Sequence, residues 1–586
     1  MPVEALPIIT HYDVQRFKQF SPQDCANWYI SLDKEGKRPE ALYPCMGRRH
    51  ITTGGLNRLI FANEPRGLFK SVDHGYIIEG SNIDIIGQNF SNTKISNSTF
   101  TSNSGMVQFD YLPTPSTTFS AFVDGQGMWV YDEAAGTFQQ VTDPRMPANP
   151  TYIIAFGNRF AVAGRDTTEF RLTQVNLGGV FDPATCFTVN GGTVFAQEAG
   201  IIRGFTVLHN TLYIFTDFTT GLWSNIPSTF NSTTFPWKKN SSNDWDFGLA
   251  DPLSVDTDFG MIVFLAKNRN GLVQVMASNG QAPVRISTKA IDVLFERDPV
   301  NDTLSPFLLG GAQGFLYVYE NTIFYRLSAG RYTDNQILEI SYSANSIEFN
   351  FDAEKWERCI ELNGERNRIE KHVYFNNRHL VSVQQDGTVY EMSGRFYTNE
   401  IRNKLQTNPQ AADAYRADPM RYELVTPIIS NPDYSEDYYN YVEIDFVWGE
   451  SNNIFSLAPF QDVQFIIDEA PDSLGEPVYI QTDDSPTNDP QLLIMEESNV
   501  VTENDITYNT LFKPHIELYW SDNGGQMYYP ADVRQFSDLG YYRWRMRWYE
   551  LATSRNRCFK LSCVSNSPIV ILGAVFSRKR ASGGAN

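Results

Sequence analysis

The chain has 586 residues, a formal net charge of −21, 42% hydrophobic and 14% aromatic residues, and six cysteines. Charged residues at 20% exclude a coiled coil or a highly charged disordered chain, and so few cysteines exclude a disulfide scaffold. No apolar run approaches the ~20 residues of a membrane-spanning helix, so no membrane insertion is expected, and Met1-Pro2-Val3-Glu4-Ala5 lacks the basic-then-apolar opening of a signal peptide.

Residues 1–59 are expected to pack on, or close, the domain that follows. From residue 60 to 400 one unit recurs: an apolar run, a turn of Asn, Asp or Gly, then a second apolar run. Tyr76-Ile77-Ile78 to Ile83-Asp84-Ile85 across Gly80-Ser81 is one case, and Phe205-Thr206-Val207 to Leu212-Tyr213-Ile214 across His209-Asn210 is another. Turns near 81, 125, 158, 210, 270, 321 and 377 recur every ~50 residues, the size of a four-stranded blade. The alternating runs suit half-buried antiparallel sheet. The spacing predicts an all-β fold with a β-propeller of six or seven blades over 60–400. The competing reading is a set of unrelated hairpins.

The strongest helix signal lies near Thr407 to Asp418, where Ala411, Ala412, Ala414 and Ala417 favour helix and Pro419 would end it. It predicts a helical connector over 401–420. Strand candidates then follow at Tyr441 to Trp448, Val463 to Ile467, His515 to Trp520, Tyr541 to Trp548, Cys558 to Val564 and Ile569 to Phe576. They read as a C-terminal β-sandwich over 421–577, with an acidic insertion near 467–505. The tail 578–586 is expected to be disordered.

Charge is uneven. Tyr422 to Phe512 holds no Lys or Arg but 19 Asp and Glu, seven of them through Glu450 and 12 from Asp462 to Asp505. Residues 513–586 carry 11 basic and five acidic residues. The acidic block reads either as an ordinary solvated surface or as a face that repels a polyanion or attracts a basic partner. Tight sequence-independent DNA binding is not expected, because it needs clustered Lys and Arg. Arg543, Arg545 and Arg547 alternate with Trp544, Met546 and Trp548, so a strand would separate a cationic from an apolar face.

Cys25, Cys45, Cys186, Cys359, Cys558 and Cys563 include no Cys-x-x-Cys pair, so reduced, buried thiols are expected. Cys558 and Cys563 fall on opposite faces of one strand, a poor disulfide geometry. There is no P-loop, Rossmann glycine fingerprint, Gly-x-Ser-x-Gly or His-Glu-x-x-His. The histidines (11, 50, 74, 209, 372, 379, 515) are scattered. His372 and His379 are weighed as a metal pair and set aside, and His209 reads as a turn residue. Ser521-Asp522-Asn523-Gly524-Gly525, with Tyr528 and Tyr529, resembles the Asp-box turn of sialidase-like propellers, a structural turn. Asn97-Ser98-Thr99 is a chance match to a glycosylation acceptor. No catalytic residue, metal ligand or cofactor is assigned.

Two segments resemble the tail-hub or nozzle proteins of short-tailed bacteriophages, also called packaged DNA stabilisation proteins or tail accessory factors. The first is Asn27-Trp28-Tyr29, Leu42-Tyr43-Pro44-Cys45-Met46-Gly47, Arg66-Gly67 and Tyr76-Ile77-Ile78-Glu79-Gly80, with Pro44-Cys45-Met46-Gly47 where many members have Pro-Gly. The second is Leu518-Tyr519-Trp520-Ser521-Asp522-Asn523-Gly524-Gly525, Tyr542-Arg543-Trp544-Arg545, Trp548, Arg555-Asn556-Arg557, Phe559-Lys560-Leu561 and Pro568-Ile569-Val570-Ile571-Leu572-Gly573-Ala574. Together they cover about a quarter of the chain.

The resemblance implies a structural, non-enzymatic virion protein of the short tail, assembled in the host cytoplasm. It implies a homo-oligomer, a hexameric ring below portal and tail adaptor protein, that extends the DNA channel and retains packaged DNA. Tail spikes or fibres and the plug or needle protein would dock on it, and DNA would pass without specific binding. Asp468, Glu469, Asp472, Asp483 and Asp484 are the channel-facing acidic candidates. Arg543, Arg545 and Arg547 are the candidates for contact with a neighbouring subunit, against the plainer reading of a solvated strand face. The alternatives are a receptor-binding or polysaccharide-degrading propeller tail component.

Overall fold

The structure, a computed structural model, describes residues 3–580 except 16, 34–38, 54–56, 62–63, 96–98, 175–180, 190–191, 226–234, 241–243, 297–310, 330–344, 385, 403–414, 432, 434, 449–477, 481–490, 497–498, 502–514 and 537–542. Seven antiparallel units of about four strands follow one another, and we call them blades 1 to 7. Their first strands are Pro65–Lys70, Gln108–Pro113, Pro150–Phe156, Ile202–Leu208, Asp256–Asp258, Gln313–Tyr319 and Ile369–Phe375. In five blades the first hairpin turns on two residues that both have positive φ: Gly157-Asn158, His209-Asn210, Phe259-Gly260, Glu320-Asn321 and Asn376-Asn377. That is the turn whose twist matches flanking strands, and Asn or Gly at its second position accepts the left-handed conformation at least cost.

Side chains link each blade to the next. Phe69 of blade 1 stacks on Phe109 of blade 2 at 5.2 Å. The Asp110 carboxylate of blade 2 accepts the Ala155 N–H of blade 3 at 2.7 Å. Phe170 of blade 3 packs against Phe205 of blade 4, and the Thr206 and Thr257 hydroxyls join blades 4 and 5. Asp256 of blade 5 accepts the Leu316 N–H of blade 6 at 2.7 Å. His372 of blade 7 stacks on Phe315 of blade 6, and Phe375 of blade 7 meets Phe90 of blade 1. The contacts close a seven-bladed ring, the upper of the two expected numbers. Middle strands such as Arg159–Gly164 are buried on both sides, not the half-buried alternation read from sequence. Blades stack face to face, so a middle strand has no solvent face and becomes a continuous apolar run.

The fourth strand of blade 7 comes from far upstream. Gly47–His50 pairs with Val389–Ser393 and closes the ring. A Cβ on Gly47 would collide with the carbonyl oxygens of Phe396 and Thr398, so only glycine fits. Arg48, fully buried, donates two hydrogen bonds to Glu361 at 2.7 and 3.1 Å and one to the Glu400 carbonyl.

The C-terminal half builds two further sheets. One holds Trp28–Leu32, Glu40–Pro44, Val3–Leu6, Ile569–Arg580, Asp437–Trp448 and Arg543–Tyr549. The other holds Pro22–Ala26, Tyr415–Val425, Asn556–Ser565, His515–Ser521 and Tyr529–Gln535. Their apolar residues, among them Tyr422, Leu424, Ile444, Phe446, Leu518, Phe559, Trp548 and Ile571, belong to one core cluster. The strand Tyr415–Val425 ties this unit to the propeller. Its start pairs with Thr398–Arg402, which meets Gly47–His50 of blade 7, and its end pairs with Pro22–Ala26, which meets Lys355–Arg358 of blade 6.

This strand overturns the helical connector at both ends: Thr398–Arg402 and Tyr415–Val425 are paired strands, and 403–414 lies outside the described residues. Cross-strand pairing of Ala417 with Glu400 outweighs the small helix preference of alanine. The disordered tail is overturned in part, because Ile569–Arg580 is one strand and Arg578 bonds Glu4, Asn431 and Asp437. Within the acidic insertion, Val478–Ile480, Gln491–Glu496 and Asn499–Val501 form a separate three-stranded sheet.

Candidate functional site

Asp468, Glu469, Asp472, Asp483 and Asp484 lie outside the described residues. Arg543–Tyr549 is a strand, as its alternation predicts, with Met546 and Trp548 buried and Arg545 and Arg547 exposed. Neither exposed arginine is free. Arg545 reaches Glu443 at 3.2 Å and Asp445 at 3.8 Å, and Arg547 pairs with Glu443 and lies over the Tyr441 ring at 4.6 Å. Both arginines therefore meet carboxylates of their own chain.

That pairing is general. Every described acidic residue of the Lys- and Arg-free block before Glu450 meets a base from the last 74 residues of the chain or its surroundings. Glu423 pairs with Lys560, Arg421 and Arg358, Asp433 with Arg580, Glu436 with Arg555, and Asp437 with Arg578. Burial pushes the Glu423 carboxyl up, but Lys560, Arg421 and Arg358 outweigh it and hold it below its usual range. This half of the acidic block is neutralised inside the C-terminal unit.

The Ser521–Gly525 segment is a turn with a seat. The Ser521 hydroxyl accepts the Gly525 N–H at 3.0 Å, and Asp522 accepts from the buried Arg557 guanidinium at 2.7 Å. Gly524 and Gly525 have φ of +69° and +81° and lie so close to Gln19 and Pro22 that a Cβ on either would be crowded. The turn thus receives residues 17–22. Those residues form the tip of a hairpin that sequence reading passed over: Asp13–Val14 pairs with Pro22 and Gln23, and the Phe20 N–H donates to the Phe17 carbonyl at 2.8 Å. Phe17 is 66% exposed and Phe20 82%. Two cavities flank the tip. One of about 370 Å³ is lined by Phe17, Lys18, Gln19 and Gln526, and one of about 280 Å³ includes Lys18, Asp24, Arg358, Glu423, Tyr528 and Lys560. The signal in the sequence was Phe17-Lys18-Gln19-Phe20 itself, two large apolar groups around a polar pair in a stretch too short to form a core element.

The remaining candidates are structural. His372 donates to or accepts from His379 at 2.9 Å, their rings stack, and burial lowers both below the usual imidazole range. Among the described residues no three His, Cys, Asp or Glu side chains gather as a metal site. His209 occupies its turn with φ +47°. All six cysteines are unpaired and buried, and burial drives the Cys25, Cys45 and Cys359 thiols far up, so they resist ionisation.

No protein-family model matches the chain, and no curated protein matches it. Among solved structures it is similar to the WD40 domain of Neurospora crassa Pan2, at 10% identity and TM-score 0.33, over 57% of this chain and 90% of that one. It is also similar to a streptogramin B lyase, at 9% identity and TM-score 0.33, over 58% of this chain and 97% of that one. The extracellular domain of BT4673 from B. thetaiotaomicron gives 11% identity and TM-score 0.34, over 74% of this chain and 57% of that one.

Proposed function

We propose that this chain is a structural component of a short phage tail, a nozzle subunit that extends the DNA channel below the portal and adaptor. In this reading the two C-terminal sheets are its β-sandwich, and the protein performs no catalysis. One observation carries the reading: the two segments that resemble the nozzle family, hundreds of residues apart, meet in one core. Trp28 stacks on Tyr422 at 5.0 Å and donates its indole N–H to the Ile569 carbonyl at 2.9 Å. Leu42 pairs with Ile571. Asn27, at φ +59°, donates to the Ile360 and Arg421 carbonyls and accepts the Ile360 N–H, tying propeller to C-terminal unit. Residues of both family-like segments thus help to clamp the parts together, as a tube subunit requires.

Quantitative mass spectrometry of purified DNA-filled particles, referenced to the major capsid protein, tests the reading. Six copies per particle are expected. A larger multiple of three would place the chain in spikes or fibres and favour receptor binding, and absence from particles would remove the structural reading.

A further inference from the structure

We propose that the cavity of about 280 Å³ at the seam between blade 6 and the C-terminal unit binds a small phosphate monoester. The proposal goes beyond the nozzle reading and does not depend on it. One wall of the cavity is sheet. Asp24, Val425 and Lys560 are successive cross-strand partners, so their side chains share a face, and Glu423 returns to that face two residues from Val425. Arg358 joins them from the end of Lys355–Arg358, Lys18 from the hairpin tip, and Tyr12 from just before that hairpin. Groups held on paired strands converge with less freedom than groups on loops.

Charge identifies the occupant. Three cations, Lys18, Arg358 and Lys560, line the cavity with two carboxylates, Asp24 and Glu423. Both carboxylates are already engaged. Arg358 holds Asp24 through two hydrogen bonds, at 2.8 and 2.5 Å. Arg421 holds Glu423 at 2.5 and 3.0 Å and leaves Lys560 a longer contact with it, at 3.5 Å. Lys18 meets no carboxylate among the described residues. With Arg421 counted, four cations face two carboxylates, a positive surplus of two in a chain whose net charge is −21. A phosphate monoester near pH 7 carries about −1.5 to −2, which matches that surplus, whereas a single carboxylate fills half of it. Lysine ammonium groups suit phosphate because they act as rotatable point charges.

Tyr12 adds a neutral donor. It is only 7% exposed, its hydroxyl has no hydrogen-bond partner among the described residues, and burial pushes its phenol up to about 12. Gly525 keeps the opposite wall in place: a Cβ there would come within 2.9 Å of the Tyr528 hydroxyl and 2.8 Å of Pro22. Val14 and Val425 offer apolar contact to the carbon part of a ligand. The volume falls just under the ~300–1,000 Å³ of pockets for drug-sized ligands, which suits a smaller solute.

The test is calorimetric titration of the full-length chain with glycerol 3-phosphate. Saturable binding of one equivalent is expected, with a dissociation constant of ~1 mM or tighter. Lys18→Gln changes an exposed side chain, so it is expected to leave the melting temperature of the free protein unchanged while weakening binding about tenfold, the worth of one charge-assisted hydrogen bond. Tyr12→Phe removes a neutral donor and is expected to weaken binding about threefold. Inorganic phosphate should displace glycerol 3-phosphate, and acetate should bind about tenfold more weakly than either. No saturable heat up to ~20 mM, equal binding by Lys18→Gln, or acetate binding as tight as phosphate would overturn the site. A short single-stranded oligonucleotide that bound more tightly than glycerol 3-phosphate would overturn it too, because a phosphodiester chain would then be the occupant.

Discussion

Glu133 stays charged at a blade joint because four donors outweigh its burial. It accepts from Tyr76 Oη at 2.7 Å, Ser120 Oγ at 2.8 Å and His74 Nδ1 at 3.1 Å, linking blade 1 to blade 2. Burial raises its carboxyl, and the hydrogen bonds from His74, Tyr76, Ser71 and Ser120 bring it below its usual range. The same hydrogen bond raises His74. The raised imidazole stabilises the fold fully below about 6.5 and loses that contribution as pH rises through its folded value. The lowered carboxyl contributes above about 4.5 and loses it as pH falls. The joint is therefore tightest between those limits. We expect His74→Gln to flatten the decline in melting temperature between pH 6 and pH 8.5, by only about 1–2 °C because His74 is a third exposed. A decline as steep as in the native chain, read by calorimetry, would remove the role. His372 and His379 act in the opposite sense: burial lowers both, so their contribution fades as pH falls below about 6.5.

At the scale of the element, the closing strand Gly47–His50 depends on a buried ion pair. Glu361→Ala would leave Arg48 buried and charged, at a cost of about 3–5 kcal/mol. Urea unfolding should show that loss, and Arg48→Met/Glu361→Leu should recover part of it; a cost below about 1 kcal/mol would mean that water reaches the site. The strands themselves were legible. Each of the seven sequence turns falls in a different blade, but those near 81, 125 and 270 join second to third strands and the others join first to second. Mixing the two kinds made the spacing ragged and left six or seven blades open. The seventh blade was hard to see for a further reason: its last strand precedes its first by over 300 residues. Ala417 advertised helix because local propensity carries no record of its partner Glu400 in Thr398–Arg402. The arginine alternation was legible as a strand, but the carboxylates opposite it at Glu443 and Asp445 were not, since register is a property of two segments. The exposed hairpin tip left no periodic signal at all.

For the whole molecule, Val3–Leu6, Pro22–Ala26, Trp28–Leu32 and Glu40–Pro44 belong to the C-terminal sheets as much as Asp437–Trp448 and Ile569–Arg580 do. Deleting residues 1–46 removes all four strands and bares long sheet edges. We expect the shortened chain to aggregate or to be digested by trace protease throughout its C-terminal half. A soluble, protease-resistant 47–586 would show that the C-terminal unit stands without them. Contacts that span nearly the full chain also predict slow folding through populated intermediates.

The pairing of Val3–Leu6 with Ala574–Ser577 sets the order of events at the ribosome. Val3–Leu6 waits for a partner synthesised hundreds of residues later, and the propeller between them stays tethered to an unfinished sheet until then. A prematurely terminated chain lacks Ile569–Arg580, the strand that Asp437–Trp448, Glu40–Pro44 and Val3–Leu6 all need. Such a fragment displays unpaired edges that chaperones and proteases recognise. The fold thereby makes its closure conditional on distant sequence: only a chain read through Ile569–Arg580 can cover these edges.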